Sequence, residues 1–198
     1  MKPLLVATGN AGKLKEIEAI LGHDVPLRAL ADFPDAHEVV EDGETFVANA
    51  IKKASEMCDF TGLITLADDS GLEVDALDGA PGIYSARFAG PMATDADNNR
   101  KLLKLLADVP DDQLQARFRC TIAIVTPEGE IKTASDAWEG HIVREPRGEH
   151  GFGYDPLFFS PEHGTTSAEL DRAEKNRASH RGKALRAAKG MILETLID

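Results

Sequence analysis

Residues 4–13 read Leu4-Leu5-Val6-Ala7-Thr8-Gly9-Asn10-Ala11-Gly12-Lys13, an apolar run that breaks at Thr-Gly-Asn and passes at once into a helical pattern. Leu14, Ile17, Ile20 and Leu21 then recur at helical spacing, and Gly22 ends the run. A buried strand that turns through glycine into a helix leaves backbone N–H groups free. It also sets the positive end of the helix dipole beside them, and Lys13 adds a full charge. Those are the parts of a phosphate cradle. Glycine and asparagine also end strands and cap helices for structural reasons alone, so the turn by itself leaves both readings open. It is neither a Walker A loop, which needs Gly-x-x-x-x-Gly-Lys-Ser/Thr, nor a Gly-x-Gly-x-x-Gly fingerprint.

Outward from this stretch, strand-like and helix-like patterns alternate, which predicts an α/β fold. Residues 25–30 read as a short strand, and Phe46, Ala50, Ile51, Ala54 and Met57 form a helical stripe over 44–59. Residues 63–67 read as a buried strand ending in Asp68-Asp69-Ser70-Gly71; a strand resumes over 72–77 until Gly79-Ala80-Pro81-Gly82 breaks it. Thr94, with Asp97 three residues on, has the form of a capping box ahead of a helix carrying Leu102, Leu103, Leu105 and Leu106. Ala116, Phe118, Cys120, Ile122 and Ile124 alternate with Arg117, Arg119 and Thr121, the signature of a half-exposed strand. A turn at 127–130 makes 131–138 the second arm of a hairpin. Ala184, Leu185, Ala188, Met191, Ile192 and Leu196 fall on one face of a last helix. The Gly/Pro-rich segments at 78–91 and 145–164 read as functional loops within a single domain spanning 1–198.

At 198 residues the chain buries roughly 70% of its unfolded surface, enough for a core without staples. Cys58 and Cys120 fall in apolar segments far apart and form no CxxC, so a reducing compartment is expected. Residues 1–10 do not resemble a signal peptide, and no apolar stretch approaches the ~18 residues of a membrane span. Together these favour the cytoplasm. A net charge of −12 argues against a nucleic-acid polymer as partner. Arg172, Lys175, Arg177, Arg181, Lys183 and Arg186, with His180 among them, form a basic cluster on this acidic chain. Such a cluster fits either a small anionic ligand or a solvated helix face.

Three further groups can carry chemistry. Asp68 and Asp69 close an apolar strand, where two carboxylates are costly unless compensated. Neighbouring strand residues point to opposite faces, so the two split their roles: one binds a hard cation or water, the other caps backbone N–H groups. An Asp-rich turn between strands is the structural alternative. A second acidic group, Glu38-Val39-Val40-Glu41-Asp42-Gly43-Glu44, reads either as a solvated acidic loop or as another carboxylate for Mg²⁺, which takes one or two carboxylates plus water and phosphate. Lys53 in the next helix either reaches a phosphate or snorkels to water. In Gly151-Phe152-Gly153-Tyr154-Asp155-Pro156, aromatics set between glycines suit an exposed or semi-exposed ring on a shaped loop, able to stack on a nucleobase, with a core aromatic in a tight turn as the structural alternative. Lys175 with Ser179-His180-Arg181 stands at the start of the last helix, where Ser179 suits an N-cap and the basic donors suit an anion or a purine O6. The histidines elsewhere, His23, His37, His141, His150 and His163, lack metal-ligand spacing, and neither a Ser nucleophile elbow nor a reactive cysteine is evident.

Taken in order, Thr8-Gly9-Asn10-x-x-Lys13, Thr45-Phe46-x-x-Asn49-Ala50-x-x-Lys53-Ala54, Ala67-Asp68-Asp69-Ser70-Gly71-Leu72, Pro81-Gly82-Ile83-Tyr84-Ser85-Ala86-Arg87, Gly151-Phe152-Gly153-Tyr154-Asp155-Pro156 and Glu174-Lys175-Asn176 followed by Ser179-His180-Arg181 form six blocks with shared spacing. In these blocks the chain resembles the inosine triphosphate pyrophosphatase family, the non-canonical purine nucleoside triphosphate pyrophosphatases. The resemblance implies an α/β fold with a long mixed β-sheet flanked by helices, two lobes around a central cleft, and a homodimer. It implies Mg²⁺-dependent hydrolysis of ITP, dITP and XTP to the monophosphate and pyrophosphate. Carried over by residue, Thr8, Gly9, Asn10, Ala11, Gly12 and Lys13 hold the triphosphate with support from Lys53. Asp69 is the general base and a metal ligand, and Ser70 is the adjacent substrate contact. Phe152, Gly153, Tyr154 and Asp155 form the base pocket, which Lys175, His180 and Arg181 complete. Glu41 is the second metal carboxylate, with Glu38 and Asp68 as alternatives, because Val40 stands where members often carry an acid. The competing readings are a Maf-like pyrophosphatase and a non-catalytic nucleotide-binding regulator.

Overall fold

Leu4, Leu5 and Val6 are all buried because the strand they form, β1 (Leu4–Val6), is covered on both faces. The computed structural model describes residues 1–22 and 25–197; His23 lies outside them. β1 pairs in parallel with β2 (Leu27–Ala29) on one side and β3 (Ile64–Val74) on the other, Leu4 standing opposite Leu27 and Ile64. Parallel neighbours need crossover connections, and α1 (Ala11–Leu21) and α2 (Phe46–Thr61) supply them. Beyond these come α3 (Asp95–Leu105), β4 (Gln115–Val125), β5 (Ile131–Ile142), β6 (Phe158–Ser160), β7 (Thr165–Thr166), α4 (Arg172–Ala178) and α5 (His180–Ile197). The strand order is β2-β1-β3-β4-β5-β6-β7. With β6 antiparallel to both β5 and β7, the sheet is mixed, as expected of an α/β chain with this pattern.

The chain divides into two compact units. The first comprises Met1–Asp69, Cys120–Asp136 and Arg181–Asp198. Here strand alternation sorts the core into two layers. Leu4 and Val6 pack with Ile17 and Leu21 of α1 and with Ala184, Leu185, Ala188 and Ile192 of α5. Leu5 and Ala7 face the other way, onto Ala50, Ala54, Met57 and Cys58 of α2. A strand buried on both faces reads as a continuous apolar run, which is why 4–7 shows no alternation.

The second unit comprises Ser70–Arg119 and Ala137–His180. One face of its strands carries Leu72, Val74, Ala116, Phe118, Trp138 and Ile142 into a core closed by Leu102 and Leu106. The opposite face is a ladder of charge: Arg117 bonds Asp75 at 2.9 Å and Glu139 at 3.1 Å, and Arg119 bonds Glu73 at 3.1 Å. The arginines expected on the exposed side are the middle row of that ladder. Residues 78–91, expected as loop, contain a 3-10 segment, Gly82–Arg87.

One expectation is corrected. Asp68-Asp69-Ser70-Gly71 does not end a strand; β3 runs through it without interruption to Val74, and the turn follows at Asp75–Leu77. The acidic pair stays in the strand because cations meet it there, as described below. The capping box at the start of α3 is present: Asp97 N donates to Thr94 Oγ1 at 3.2 Å and Thr94 N to Asp97 Oδ2 at 2.9 Å. Thr94→Ala removes one side of it and lowers unfolding stability by about 1 kcal/mol, read as a shift of the urea midpoint at constant slope.

Candidate functional site

Because Asp68 and Asp69 are consecutive in a strand, their side chains leave on opposite faces, and each meets its own cations. Asp68 is 1% exposed and receives Lys13 Nζ at 3.0 Å and Arg181 Nε at 3.2 Å. Arg181 is itself buried and ion-paired with Glu16 of α1. Burial alone pushes the Asp68 carboxyl up, but the charges of Lys13, Arg181 and Lys53 outweigh it and hold the group well below the usual carboxylate range. On the other side burial wins. It raises the Asp69 carboxyl, Lys53 pulls it down and Glu41 pushes it up again, leaving it above its ordinary value. The two neighbouring carboxyls are thus driven in opposite directions, and the partners that Asp68 meets are side-chain cations, where strand alternation led to the expectation of a backbone N–H cap for one of the pair.

Lys53 sits in α2 with Nζ 2.7 Å from Glu41 Oε1. Burial disfavours its charge, yet the fields of Asp68, Glu41 and Asp69 more than compensate and its pKa is raised. The Glu41 loop is fixed to the same helix by Asn49, a fully buried residue whose Oδ1 accepts Gly43 N–H at 2.8 Å. A methyl group at Gly43 would stand 2.7 Å from that oxygen, so the loop lies directly against α2. Among the described residues no group of three His, Cys, Asp or Glu is arranged to hold a metal. Glu41, whose charge acts on the Asp69 carboxyl, forms with it a donor pair that suits a hard cation completing its shell with water and phosphate.

The strand-to-helix turn is more self-contained than its sequence suggests. Asn10 caps α1, its Oδ1 accepting Gly12 N–H at 2.9 Å and Lys13 N–H at 3.0 Å, while Asn10 N–H turns to Thr8 Oγ1 at 3.2 Å. Three N–H groups expected to point outward therefore close on side chains of the turn itself.

In the second unit the loop at 151–155 is held by its own carboxylate. Asp155, 3% exposed, accepts from Lys175 Nζ at 2.7 Å, Ser167 Oγ at 2.8 Å and Phe152 N–H at 2.8 Å. Gly151 has φ +82°, and a Cβ there would stand 2.0 Å from Asp155 Oδ2, so glycine is required twice over. The loop is also strapped to α3: Gly153 N–H donates to Asp95 at 2.7 Å and Asn99 Nδ2 donates to Gly153 O at 3.0 Å. Of the two aromatics, only Phe152 stays half-exposed, with Lys175 Nζ 4.8 Å from its ring centroid. Tyr154 is in the core, its hydroxyl donating to Ser85 O at 2.8 Å, which corrects the expectation of an accessible ring there. His180 lies against Phe118, centroids 4.8 Å apart and planes 16° from parallel. Ser179 is an extended residue between α4 and α5, its N–H closing on Lys175 O at 2.8 Å. Ser70 follows Asp69 in β3, half-buried.

The structure thus brings Lys13, Lys53, Glu41, Asp68 and Asp69 into one electrostatic group, and Phe152, Asp155 and Lys175 into another. Arg181 belongs to the first group, bonded to the carboxylates of Asp68 and Glu16. Glu16, Asp95, Asn99, Ser85 and Ser167 were not anticipated as supports. The signal for Glu16 was its place one turn beyond Lys13 beside the apolar Ile17; for Asp95 and Asn99 no signal preceded the structure. Both cysteines are buried thiols. Burial and the nearby Asp68 charge push Cys120 up to about 12.

Comparison with known proteins adds a lineage. The Ham1 family model matches residues 4–191. A dITP/XTP pyrophosphatase of Desulforamulus reducens is 57% identical over 188 residues, covering 93% of this chain and 92% of that one. Its counterpart from Geobacter sulfurreducens is 57% identical over 186 residues, covering 93% and 94%. The structure of a HAM1 protein from Coxiella burnetii superposes with a TM-score of 0.88 at 42% identity, covering 98% of this chain and all of the other.

Two consequences of the buried charge are measurable. Arg181→Met leaves Asp68 and Glu16 without their shared guanidinium and costs about 3–5 kcal/mol in urea unfolding. Asp68 has a depressed folded pKa, so its stabilisation is complete above the unfolded carboxylate value of about 4 and is lost as pH falls below it. The urea midpoint of the wild type therefore declines on acidification from about pH 5 to pH 2, and Asp68→Asn, lower at neutral pH, declines less steeply.

Proposed function

The chain belongs to the Ham1 family, and from that premise we propose that it hydrolyses the non-canonical purine nucleoside triphosphates ITP, dITP and XTP to the monophosphate and pyrophosphate. The relatives that share more than half of its residues carry the dITP/XTP pyrophosphatase name, which supports this substrate class. The observation that carries the proposal is the setting of Asp69: a buried carboxyl raised above its ordinary value, with Lys53, Glu41 and Lys13 all acting on it. That is a proton acceptor placed among cations suited to a polyphosphate.

In this reading Asp69 takes the proton from a water that attacks the α-phosphorus in line. Residues 8–13 receive the triphosphate, Lys13 and Lys53 carry counter-charge for it, and Ser70 adds a contact. Glu41 and Asp69 would hold Mg²⁺, which when bound supplies charge stabilisation to the phosphoryl oxygens and the departing pyrophosphate. Phe152 offers its ring face to the base. Gly153, Tyr154, Asp155 and Lys175 keep that loop in shape, and His180 donates to the 6-keto oxygen. Adenine presents an amino group at that position, and a mismatch that leaves donors unpaired can cost about 10⁴-fold. Arg181, which follows His180, adds a second donor for the base and also pairs with Asp68. We further propose that the two units serve as one catalytic domain, that the chain works as a homodimer, and that it works in the cytoplasm. Two unbonded, buried thiols and an intracellular substrate support the last of these. No described helix is long and apolar enough to cross a membrane, and the net charge of −12 disfavours a nucleic-acid polymer.

The test is pyrophosphate release from ITP, XTP, dITP, GTP, ATP and dUTP, with and without Mg²⁺. Turnover is expected for the first three and only with the metal; a folded protein that turns over none of the six sinks the enzyme reading. Asp69→Asn is expected to lower kcat by about 10²–10⁴-fold. Full activity in that variant removes Asp69 from the role of base while leaving the substrate class standing.

A further inference from the structure

We propose that Phe118 is a specificity-determining positioning residue: its ring sets the plane of the His180 imidazole, and hence the direction of the donor that reads the purine. The inference rests on the reading above, in which His180 faces the 6-keto oxygen. His180 is the first residue of α5, preceded by the extended Ser179, so the preceding helical turn that normally restricts a rotamer is missing. Its ring lies against the face of Phe118, stacked at 4.8 Å and 16°. Imidazole N–H bonds lie in the ring plane, and hydrogen bonds weaken steeply once the donor angle falls toward 120°. A ring free to turn by some tens of degrees would lose its partner, and a ring held parallel to a fixed face would not.

Phe118 is itself fixed. On β4 it lies on the core side, between Arg117 and Arg119, which point away into the charge ladder. Its ring contacts Phe158 at 4.6 Å with planes tilted 47°, and Phe158 in turn contacts Trp138 at 5.1 Å and 57°. Gly140 gives Phe158 room for this: a Cβ there would stand 2.6 Å from Phe158 Cζ and 2.3 Å from Phe159 O. His180 is thus the outer member of a column of four rings seated on a glycine of β5. The fully buried Trp138 and Phe158 anchor it in the core of the second unit.

The experiment compares kcat and KM for ITP and ATP in the Mg²⁺-supplemented enzyme and in Phe118→Leu, Phe118→Tyr, His180→Ala and Phe118→Leu/His180→Ala, with thermal melting of each. Phe118→Leu is expected to lower the ITP-to-ATP ratio of kcat/KM about tenfold, chiefly through the KM for ITP, because loss of a ring stack misdirects the donor without removing it. Phe118→Tyr keeps the ring and restores the ratio. In the His180→Ala background Phe118→Leu changes the ratio no further, since it acts only through that imidazole. Equal losses with ITP and ATP, a lower melting temperature with the ratio intact, or an additional loss in the His180→Ala background would each overturn the proposal. If Phe118→Leu does not fold, Phe118→Met makes the same comparison. A wild-type enzyme without preference for ITP over ATP overturns this proposal together with the substrate reading. An intact preference with a failed cycle overturns this proposal alone.

Discussion

Two consecutive carboxylates in the middle of a fully covered strand are the constraint on which the first unit depends. Strand geometry forbids Asp68 and Asp69 from sharing a face, so the cations around them act on the two unequally. The fold answers with one cation from each helix of that unit: Lys13 from α1, Lys53 from α2 and Arg181 from α5. Moving any of these helices moves a charge. The apolar layers that hold the helices against the strands therefore also fix the electrostatics, and packing and chemistry share the same coordinates. The outcome is asymmetric. Asp68 is locked in its charged form by several partners, whereas Asp69, with less compensation, is the one whose proton can move.

The second unit solves a different problem with less charge. A loop rich in glycine must hold an aromatic ring half out of the core while its backbone stays satisfied. Asp155 does this from beneath, binding an ammonium, a hydroxyl and a peptide N–H, and α3 ties the peptide at Gly153 from the side. Because Asp155 and Lys175 are both buried, neither is spent on solvent. Their pairing is a scaffold for the ring of Phe152, over which the same ammonium lies.

Much of the architecture was legible from pattern alone. The uninterrupted run at 4–7, the stripe from Phe46 to Met57 and the alternation at 116–124 each reflect how many faces of an element are covered, and coverage is what periodicity records. The capping box at Thr94 was legible for the same local reason. The site was legible as residue types and less so as partnerships. Asp68 and Asp69 read as the end of a strand because the cations that keep them inside it come from positions 13, 53 and 181, and nothing local announces those meetings. Phe152 and Tyr154 both adjoin Gly153; which ring goes inside is settled by partners far along the chain, among them the carbonyl of Ser85. Arg181 was legible as one of a basic cluster, but its carboxylate partners Asp68 and Glu16 were not, because they stand far away in sequence.

The turn from which the fold is read has a consequence for how an anion is received there. Asn10 Oδ1 already accepts the N–H groups of Gly12 and Lys13. An incoming phosphate oxygen that sought those donors would displace an internal oxygen, so the number of hydrogen bonds would hardly change. Under the proposed function, binding at this turn would be an exchange of ligands on a preformed ring, driven by the full charges of Lys13 and Lys53. Affinity of that origin weakens with ionic strength. The turn holds its own shape through the bonded N–H groups of Asn10, Gly12 and Lys13.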